Sequence, residues 1–240
     1  MERFLTVTLT IDKRGVATIT LNRPDNHHAI DHKMIYEIQE AVSSLNSNEF
    51  VKIIIFRSSG PIFCSGGDLS WMKSIKKKRS TLISEARSLA NMFACIDRAK
   101  KPTIACVSGD VYGGGIGLIA ACDFIFCIQS IKLRFSETRL GLIPATIGPF
   151  IYNRVGRGQA RALLLSSRAF SAQRAYQLGL VTHLFEENEH LESGLNLETD
   201  SILKSSSAAM SATKKMWHFF NDSEANDIKE YTVQALADRW

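Results

Sequence analysis

A run of glycines between two apolar segments constrains this chain more than any other feature. Residues 113–117 read Gly-Gly-Gly-Ile-Gly; they follow the strand-like segment 103–108 and precede an apolar segment that ends at Cys122. This order predicts a strand, a glycine turn and the start of a helix. The first N–H groups of a helix have no partner inside it, and glycines let a ligand approach them, so the turn suits an anion or an oxyanion. Glycine clusters also serve tight packing of a strand on a helix, and both interpretations stay open at this point.

The spacing of these glycines disfavours two nucleotide-binding motifs. Leu118 stands where the dinucleotide fingerprint G-x-G-x-x-G would have its third glycine. The Gly-Lys-Ser/Thr end of a P-loop does not follow either. We therefore expect the turn to serve a different ligand.

Composition and charge indicate an ordinary globular protein. The 240 residues are 45% hydrophobic and 22% charged, which suffices for one α/β domain, or one domain with a small appendage. A net charge of +5 would suit an acidic partner such as a polyphosphate-bearing ligand or nucleic acid, but we interpret it first as a feature that keeps the protein in solution. The five cysteines form no C-x-x-C pair, and no signal peptide or membrane span is evident, so we expect a cytoplasmic protein with reduced thiols and no membrane partner.

Periodicity along the chain predicts strands that alternate with helices. Segments 4–11 and 16–21 predict a β-hairpin, and Asp31 is placed to cap the first helix. A second glycine turn, at residues 64–68, follows the apolar strand 51–56. Further strands are predicted at 103–108 and 123–128, and helices at 81–97, 148–155, 158–166, 171–178 and 198–220. Because helices alone are predicted beyond residue 144, we place a boundary near residue 190, between a core of residues 1–190 and a helical region of residues 191–240.

Two polar clusters invite binding hypotheses. The adjacent His27 and His28 lack a further ligand at metal-binding spacing, so we interpret them as loop residues. The basic run at residues 76–79 is interpreted first as solvated surface, with a role near phosphates or RNA as the alternative.

Two glycine turns about fifty residues apart, each able to offer a backbone N–H, are what a thioester oxyanion hole needs. At this point the chain resembles the crotonase family, also called the enoyl-CoA hydratase/isomerase superfamily. The segments that carry the resemblance are Asn22–Pro24, Phe63–Leu69, Gly113–Leu118, Cys122–Asp123, Ser136–Gly141 and Ala175–Val181.

The resemblance implies a fold, an assembly and a ligand. It implies an α/β spiral of ββα turns followed by a helical trimerisation region, assembled as a homotrimer or a dimer of trimers, with a further helix beyond Trp240 over the acyl pocket. It implies that the N–H groups of Ser65 and Gly114 hold the oxygen of an acyl-CoA thioester. The residues implied to contact CoA are Asp25, His27, Ala29, Ser65, Gly67, Asp68 and Leu69.

Glu137 is the candidate catalytic group, and Gly117 is the departure from the family pattern. Many hydratases of the family use two glutamates, one at the position of Glu137 and one where Gly117 stands here. A carboxyl group in an apolar pocket has a raised pKa, which suits proton transfer near neutral pH. The alternative for Glu137 is a helix-start residue after Ser136. Arg139 is a candidate for bidentate contact with a distal carboxylate on the substrate, with exposure to solvent or pairing with a helix carboxylate as the alternatives.

The expected function is hydration of a branched 2-enoyl-CoA that carries a distal carboxylate, such as 3-methylglutaconyl-CoA. The segments around Asp68 and Glu137 resemble most the methylglutaconyl-CoA and carboxygeranoyl-CoA hydratase branch, which serves leucine and acyclic terpene breakdown. The alternatives are a Δ3-Δ2-enoyl-CoA isomerase with a single glutamate, a hydrolase or dehalogenase of acyl-CoA, and a non-catalytic CoA- or RNA-binding relative. We expect no metal and no cofactor apart from the CoA of the substrate.

Overall fold

The main sheet has six strands, most of them parallel. In spatial order these are β1 (Val7–Ile11), β2 (Val16–Leu21), β3 (Ile53–Ser58), β5 (Thr103–Val107), β7 (Phe124–Ile128) and β10 (His183–Phe185). β1 and β2 form the predicted antiparallel hairpin, and the other neighbours pair in parallel. All five residues of β5 are buried, as expected of a parallel strand covered on both faces. The computed structural model describes residues 4–75 and 79–222.

A second, smaller sheet is built from short strands that follow those of the main sheet along the chain. In spatial order they are β4 (Ile62–Cys64), β6 (Asp110–Tyr112), β8 (Lys132–Arg134) and β9 (Phe170–Ser171). β4, β6 and β8 pair in parallel, and β9 is antiparallel to β8. Each of the strands β3, β5 and β7 is thus followed by a strand of the small sheet and then by a helical segment. The predicted spiral of ββα turns is confirmed.

Eight α-helices are described within residues 4–75 and 79–222. They are α1 (His32–Ser47), α2 (Leu69–Ile75), α3 (Arg79–Asp97), α4 (Gly114–Ala120), α5 (Gly148–Ser166), α6 (Ala172–Gln177), α7 (Asn188–Leu203) and α8 (Ser207–Asp222). The Asp31 carboxylate accepts a hydrogen bond of 2.9 Å from the Met34 N–H, so the predicted cap of α1 is confirmed. In the described part of the chain every helix is too short or too polar to span a bilayer.

The prediction of helices alone beyond residue 144 is wrong at β9 and β10, and the number of helices predicted after residue 198 is wrong as well. β9 and β10 have two and three residues, too few to leave a period-2 pattern in the sequence. The single helix predicted over 198–220 is two helices, α7 and α8. The Ser205 N–H turns back to the Ile202 carbonyl and ends α7, and the Ser206 hydroxyl accepts a hydrogen bond from the Ala209 N–H at the start of α8.

The helical region continues the core instead of standing apart from it. Leu191, Leu195 and Ile202 on α7 belong to the same buried apolar cluster as the main sheet. The boundary near residue 190 falls inside α7, and the division of the chain there stays a prediction. Residues 223–240 and the further helix implied beyond Trp240 lie outside the described residues, as do residues 76–78 of the basic run.

Candidate active site

Three neighbouring strands of the small sheet bring the predicted catalytic segments together. The turn at residues 65–67 follows β4, Gly113 and Gly114 follow β6, and Glu137 lies three residues after β8. Because β4, β6 and β8 are parallel, the three segments leave the sheet at the same edge. Ser65, Gly67, Gly114 and Glu137 all line one cavity of about 550 Å³.

The two glycine turns lie close to each other. The Gly67 nitrogen is 3.9 Å from the position of a β-carbon built on Gly114, and the Gly114 nitrogen is 3.4 Å from one built on Gly66. Within residues 4–75 and 79–222, the N–H groups of Gly67 and Gly114 donate no hydrogen bond. The cavity therefore has two neighbouring backbone donors available to a ligand.

The position of Ser65 corrects the prediction that its N–H is one of the two donors. The Ser65 N–H donates to the His27 carbonyl at 3.0 Å, so the first residue after β4 is still engaged in pairing with the neighbouring loop. Gly67, two residues further along, presents the free N–H instead. The prediction for Gly114 is compatible with the structure, because its N–H has no protein acceptor in the described part of the chain.

The Glu137 carboxyl group lies against the second glycine turn. A β-carbon built on Gly113 would be 3.1 Å from Glu137 Oε1, and Gly113 itself has φ +46°, a conformation that favours glycine. Glu137 Oε2 is buried and has no hydrogen-bond partner among the described residues. Burial raises the pKa of this carboxyl group above its usual value, against the opposing effect of the backbone N–H groups of Glu137 and Ser136.

The site has no space for a second carboxylate at position 117. A β-carbon built on Gly117 would lie 2.2 Å from Ile147 Cγ2, 2.9 Å from Ile147 Cβ and 3.2 Å from Phe93 Cζ. Both neighbours are buried, Ile147 to 2% exposure and Phe93 completely. The glutamate that the family pattern places here is replaced by close apolar packing.

The rest of the cavity wall is mostly apolar. Its large apolar side chains include Leu69, Trp71, Met72, Leu82, Leu89 and Ile143. Arg139 is exposed and is not part of the cavity lining, which agrees with the alternative that it points to solvent. Arg134, the last residue of β8, does line it. Sequence analysis did not single out Arg134, although the alternation of β8 places it opposite the buried Leu133.

The loop predicted to contact CoA runs beside the first glycine turn. The Ile30 N–H donates to the Gly66 carbonyl at 2.7 Å, and the Asp68 N–H donates to the Ile30 carbonyl at 2.8 Å. Asp25 and His27 are exposed on this loop, whereas Ala29 is buried. These three residues lie outside the cavity lining, next to the turn that carries Gly67.

Asp68 has a structural task at the start of α2. Its Oδ1 accepts hydrogen bonds from the N–H groups of Ser70 and Trp71, and its Oδ2 lies 3.1 Å from Arg23 Nη2. Although burial acts to raise the pKa of Asp68, the Trp71 N–H, the Arg23 guanidinium and the Ser70 N–H hold it below its usual value. The Asp68 side chain therefore fixes the turn beside Gly67 and does not line the cavity.

Two other cavities formed by the described residues contain none of the predicted site residues. A larger concavity of about 1070 Å³ is lined by β1 and by residues of α1 such as Glu40 and Ser44. In the described ranges, no group of three or more His, Cys, Asp or Glu side chains is arranged to hold a metal ion.

The fold and the cavity define a class of protein: an α/β spiral in which two free backbone amides lie beside one buried carboxyl group. A family model described as "Enoyl-CoA hydratase/isomerase" matches residues 12–235. The chain belongs to this family, and the resemblance to crotonases is confirmed. It is accordingly an enzyme of the lyase or isomerase type.

The relatives to which this chain is similar include proteins named for both reaction types. The chain is 31% identical over 212 residues to "Delta(3,5)-Delta(2,4)-dienoyl-CoA isomerase, peroxisomal" of Arabidopsis thaliana, covering 83% of this chain and 76% of the relative. It is 33% identical over 181 residues to "Methylglutaconyl-CoA hydratase, mitochondrial" of Mus musculus, covering 74% of this chain and 57% of the relative. A crystal structure of an enoyl-CoA hydratase from Shewanella pealeana superposes with a TM-score of 0.92 at 28% identity, covering 99% of this chain and 89% of that one.

Proposed function

We propose that this enzyme transfers a proton with Glu137 while the N–H groups of Gly67 and Gly114 hold the oxygen of an acyl-CoA thioester. The observation that carries the proposal is the buried, unpartnered Glu137 Oε2, next to a turn whose backbone donor is free. Because Glu137 lines the cavity and one of its carboxyl oxygens has no protein partner, a substrate group can supply the missing hydrogen bond, and burial raises the pKa of the carboxyl group.

The two backbone donors would stabilise the charge that develops during the reaction. Addition at C3 of a 2-enoyl thioester moves electrons to the thioester oxygen and produces an enolate. Fixed N–H groups stabilise that oxygen without reorganisation, and removal of one such donor typically lowers the rate by roughly 10²–10³. Gly67 and Gly114 lie on separate turns that the small sheet holds side by side, which keeps both donors in place.

Hydration follows with Glu137 as the single proton-transfer group. The Glu137 carboxylate takes a proton from a water molecule while the water oxygen bonds to C3 and the electrons of the double bond move to the thioester oxygen. The Glu137 carboxylic acid then returns this proton to C2, and the enolate electrons form the new C2–H bond. One water molecule has added across the double bond, and Glu137 is again ionised.

The acyl group we propose is short, branched and negatively charged at its far end, as in 3-methylglutaconyl-CoA, an intermediate of leucine degradation. Apolar side chains such as Met72, Leu89 and Ile143 suit a branched chain, and the Arg134 guanidinium is a cationic group in the same lining. The mouse relative is named for this substrate.

A second candidate function is isomerisation of a 3-enoyl-CoA. Ile147 and Phe93 fill the place of the second glutamate, so the site offers no second carboxylate to hold a water molecule there. Glu137 would take a proton from C2 and return it to C4, with the same two amides holding the enolate. One glutamate suffices for that reaction, and one relative is named as an isomerase of dienoyl-CoA.

The position of CoA follows from the same proposal. CoA would extend from the cavity along the exposed loop at Asp25 and His27, and the chemistry needs no metal or redox group.

The homotrimer or dimer of trimers and the cytoplasmic location stay predictions from the resemblance and the composition. Light scattering on the purified protein measures the mass of the assembly directly.

Product masses separate the two candidate reactions. Purified enzyme is incubated with 3-methylglutaconyl-CoA and, separately, with a 3-enoyl-CoA, and each product is analysed by mass spectrometry. A gain of one water molecule by the first substrate supports hydration. Conversion of the second substrate to its conjugated isomer, without a change in mass and without action on the first, would contradict it in favour of isomerisation.

A further inference from the structure

Arg134 is a cationic side chain in a cavity that is otherwise mostly apolar. It ends β8, three residues before Glu137, and the residues on either side of it in the chain, Leu133 and Phe135, are buried in the core. Side chains of a strand alternate between its two faces, so Arg134 lies on the opposite side, where it lines the cavity. Its carbonyl accepts a hydrogen bond of 2.9 Å from the Gly113 N–H, which ties it to the turn beside Glu137.

The guanidinium of Arg134 has no anionic partner within the part of the chain that the structure describes. Arg134 Nε is buried without a hydrogen-bond partner, and the guanidinium forms no ion pair with any residue in the described ranges. By contrast, Arg23 pairs with Asp31 and Asp68, and Arg57 pairs with Glu192. Because the guanidinium has no carboxylate partner among the described residues, an anionic ligand that reaches its Nη groups would supply the missing acceptor.

The carboxyl groups of Asp110 and Glu85 are engaged elsewhere. Tyr112, the cross-strand neighbour of Arg134, donates its hydroxyl to Asp110 Oδ2 at 2.9 Å. The other oxygen of Asp110 accepts a hydrogen bond from the Lys132 N–H. Glu85, across the cavity on α3, lies 2.9 Å from His32 Nδ1. None of these carboxylates neutralises Arg134.

The position of Arg134 beside Glu137 indicates that its anionic partner is a carboxylate of the acyl chain and not a phosphate of CoA. The Arg134 carbonyl accepts a hydrogen bond from the Gly113 N–H, and Gly113 packs against Glu137 Oε1. The Arg134 side chain therefore starts next to the place proposed for the reacting carbons. The phosphates of CoA are separated from the thioester by the whole pantetheine arm. An anion within reach of Arg134 is therefore expected on the acyl chain.

We propose that Arg134 binds a carboxylate at the far end of the acyl chain and so selects CoA thioesters of dicarboxylic acids. The inference rests on the proposed acyl-CoA function, since it assumes that the acyl group enters this cavity. A guanidinium presents donors in a planar fork that matches a carboxylate in a bidentate contact, which a lysine does not reproduce. Arg134 is thus a specificity-determining residue, distinct from the proton-transfer group Glu137.

Binding of two saturated thioesters tests the proposal without turnover. Glutaryl-CoA carries a distal carboxylate, and pentanoyl-CoA has the same number of acyl carbons without it. Dissociation constants are measured by calorimetry for the wild-type enzyme, Arg134→Gln, Arg134→Lys and the exposed control Arg139→Gln. Loss of a charge-assisted contact should weaken glutaryl-CoA binding by about 10- to 100-fold in Arg134→Gln and by less in Arg134→Lys. Binding of pentanoyl-CoA should stay unchanged in every variant, which also shows that the fold is intact.

Two results would overturn the assignment. Equal affinity of the wild-type enzyme for both thioesters, with no effect of Arg134→Gln on either, would show that no acyl carboxylate is recognised there. Equal weakening of both thioesters in Arg134→Gln would place the contact on the CoA portion that they share. Neither thioester has a double bond that can be hydrated, so this experiment measures binding alone. Its outcome is therefore independent of whether the product analysis supports hydration.

Discussion

Ile147 fills the space beside Gly117: a β-carbon built on Gly117 would lie 2.2 Å from Ile147 Cγ2. Ile147 immediately precedes α5, and Gly117 lies in α4, so the two residues hold these helices together under the cavity. The contact explains why a second glutamate is absent in physical terms. A side chain at position 117 requires a different residue at position 147.

Enlarging residue 117 should therefore destabilise the enzyme through overpacking. Gly117→Ala is expected to lower the free energy of unfolding by about 1–3 kcal/mol. In Ile147→Ala the added methyl group would find space, so the double variant should be less destabilised than the sum of the two single variants. Urea unfolding measures all three. Gly148→Ala is the matched control, because a β-carbon there has nothing within 4 Å and should have little effect; additive losses in the double variant would contradict the contact.

Gly113→Ala should impair activity by displacing the catalytic carboxyl group. The new β-carbon would lie 3.1 Å from Glu137 Oε1 and would also require a φ of +46°. Gly60→Ala is the matched control, since Gly60 has φ +78° and open space around its α-carbon. Both variants should lose stability, by roughly 1 kcal/mol from backbone strain. Only Gly113→Ala should lose kcat, and an equal loss in Gly60→Ala would contradict the argument.

The pH dependence of activity should report the raised pKa of Glu137. As general base, Glu137 must be ionised, so kcat/KM should fall as pH decreases through an apparent pKa above that of an ordinary glutamate, about 4.3. A pH–rate profile from acid to neutral pH measures this limb. A limb at the ordinary glutamate value would contradict the effect of burial.

The raised pKa of Glu137 also makes the stability of the fold depend on pH. Because the folded protein holds the Glu137 proton more tightly than the unfolded chain does, this group stabilises the fold at low pH, and that contribution is lost as pH rises through the folded pKa. Glu137→Gln should therefore gain in melting temperature relative to the wild type as pH increases from 4 to 7. A constant difference across this range would contradict the prediction.

Local patterns in the sequence predicted much of the framework. Alternation with threonine identified the hairpin of β1 and β2, and the position of Asp31 identified the start of α1. The glycines around Gly114 marked a turn with a free donor, and Glu137 was identified from the segment that resembles the crotonase family. These features depend on residues that are close in the sequence or belong to a family motif.

Contacts between distant segments were not predictable in the same way. The strands of the small sheet have only two or three residues, too few to leave a period-2 pattern, so none of them was predicted as a strand. The choice between Ser65 and Gly67 as donor depends on the His27 carbonyl, which lies in another loop. The closure of position 117 by Ile147 and the approach of Arg134 to the cavity likewise require the three-dimensional arrangement.

The most direct test of the central claim is the rate at which the conjugated thioester absorbance of 3-methylglutaconyl-CoA disappears. The wild-type enzyme, Glu137→Gln and the exposed control Glu49→Gln are compared, with crotonyl-CoA as the uncharged substrate. Loss of one general acid–base group should reduce kcat by roughly 10²–10⁴ in Glu137→Gln, while Glu49→Gln retains the wild-type rate. Rapid hydration by Glu137→Gln would contradict the assignment of Glu137 as the single proton-transfer group.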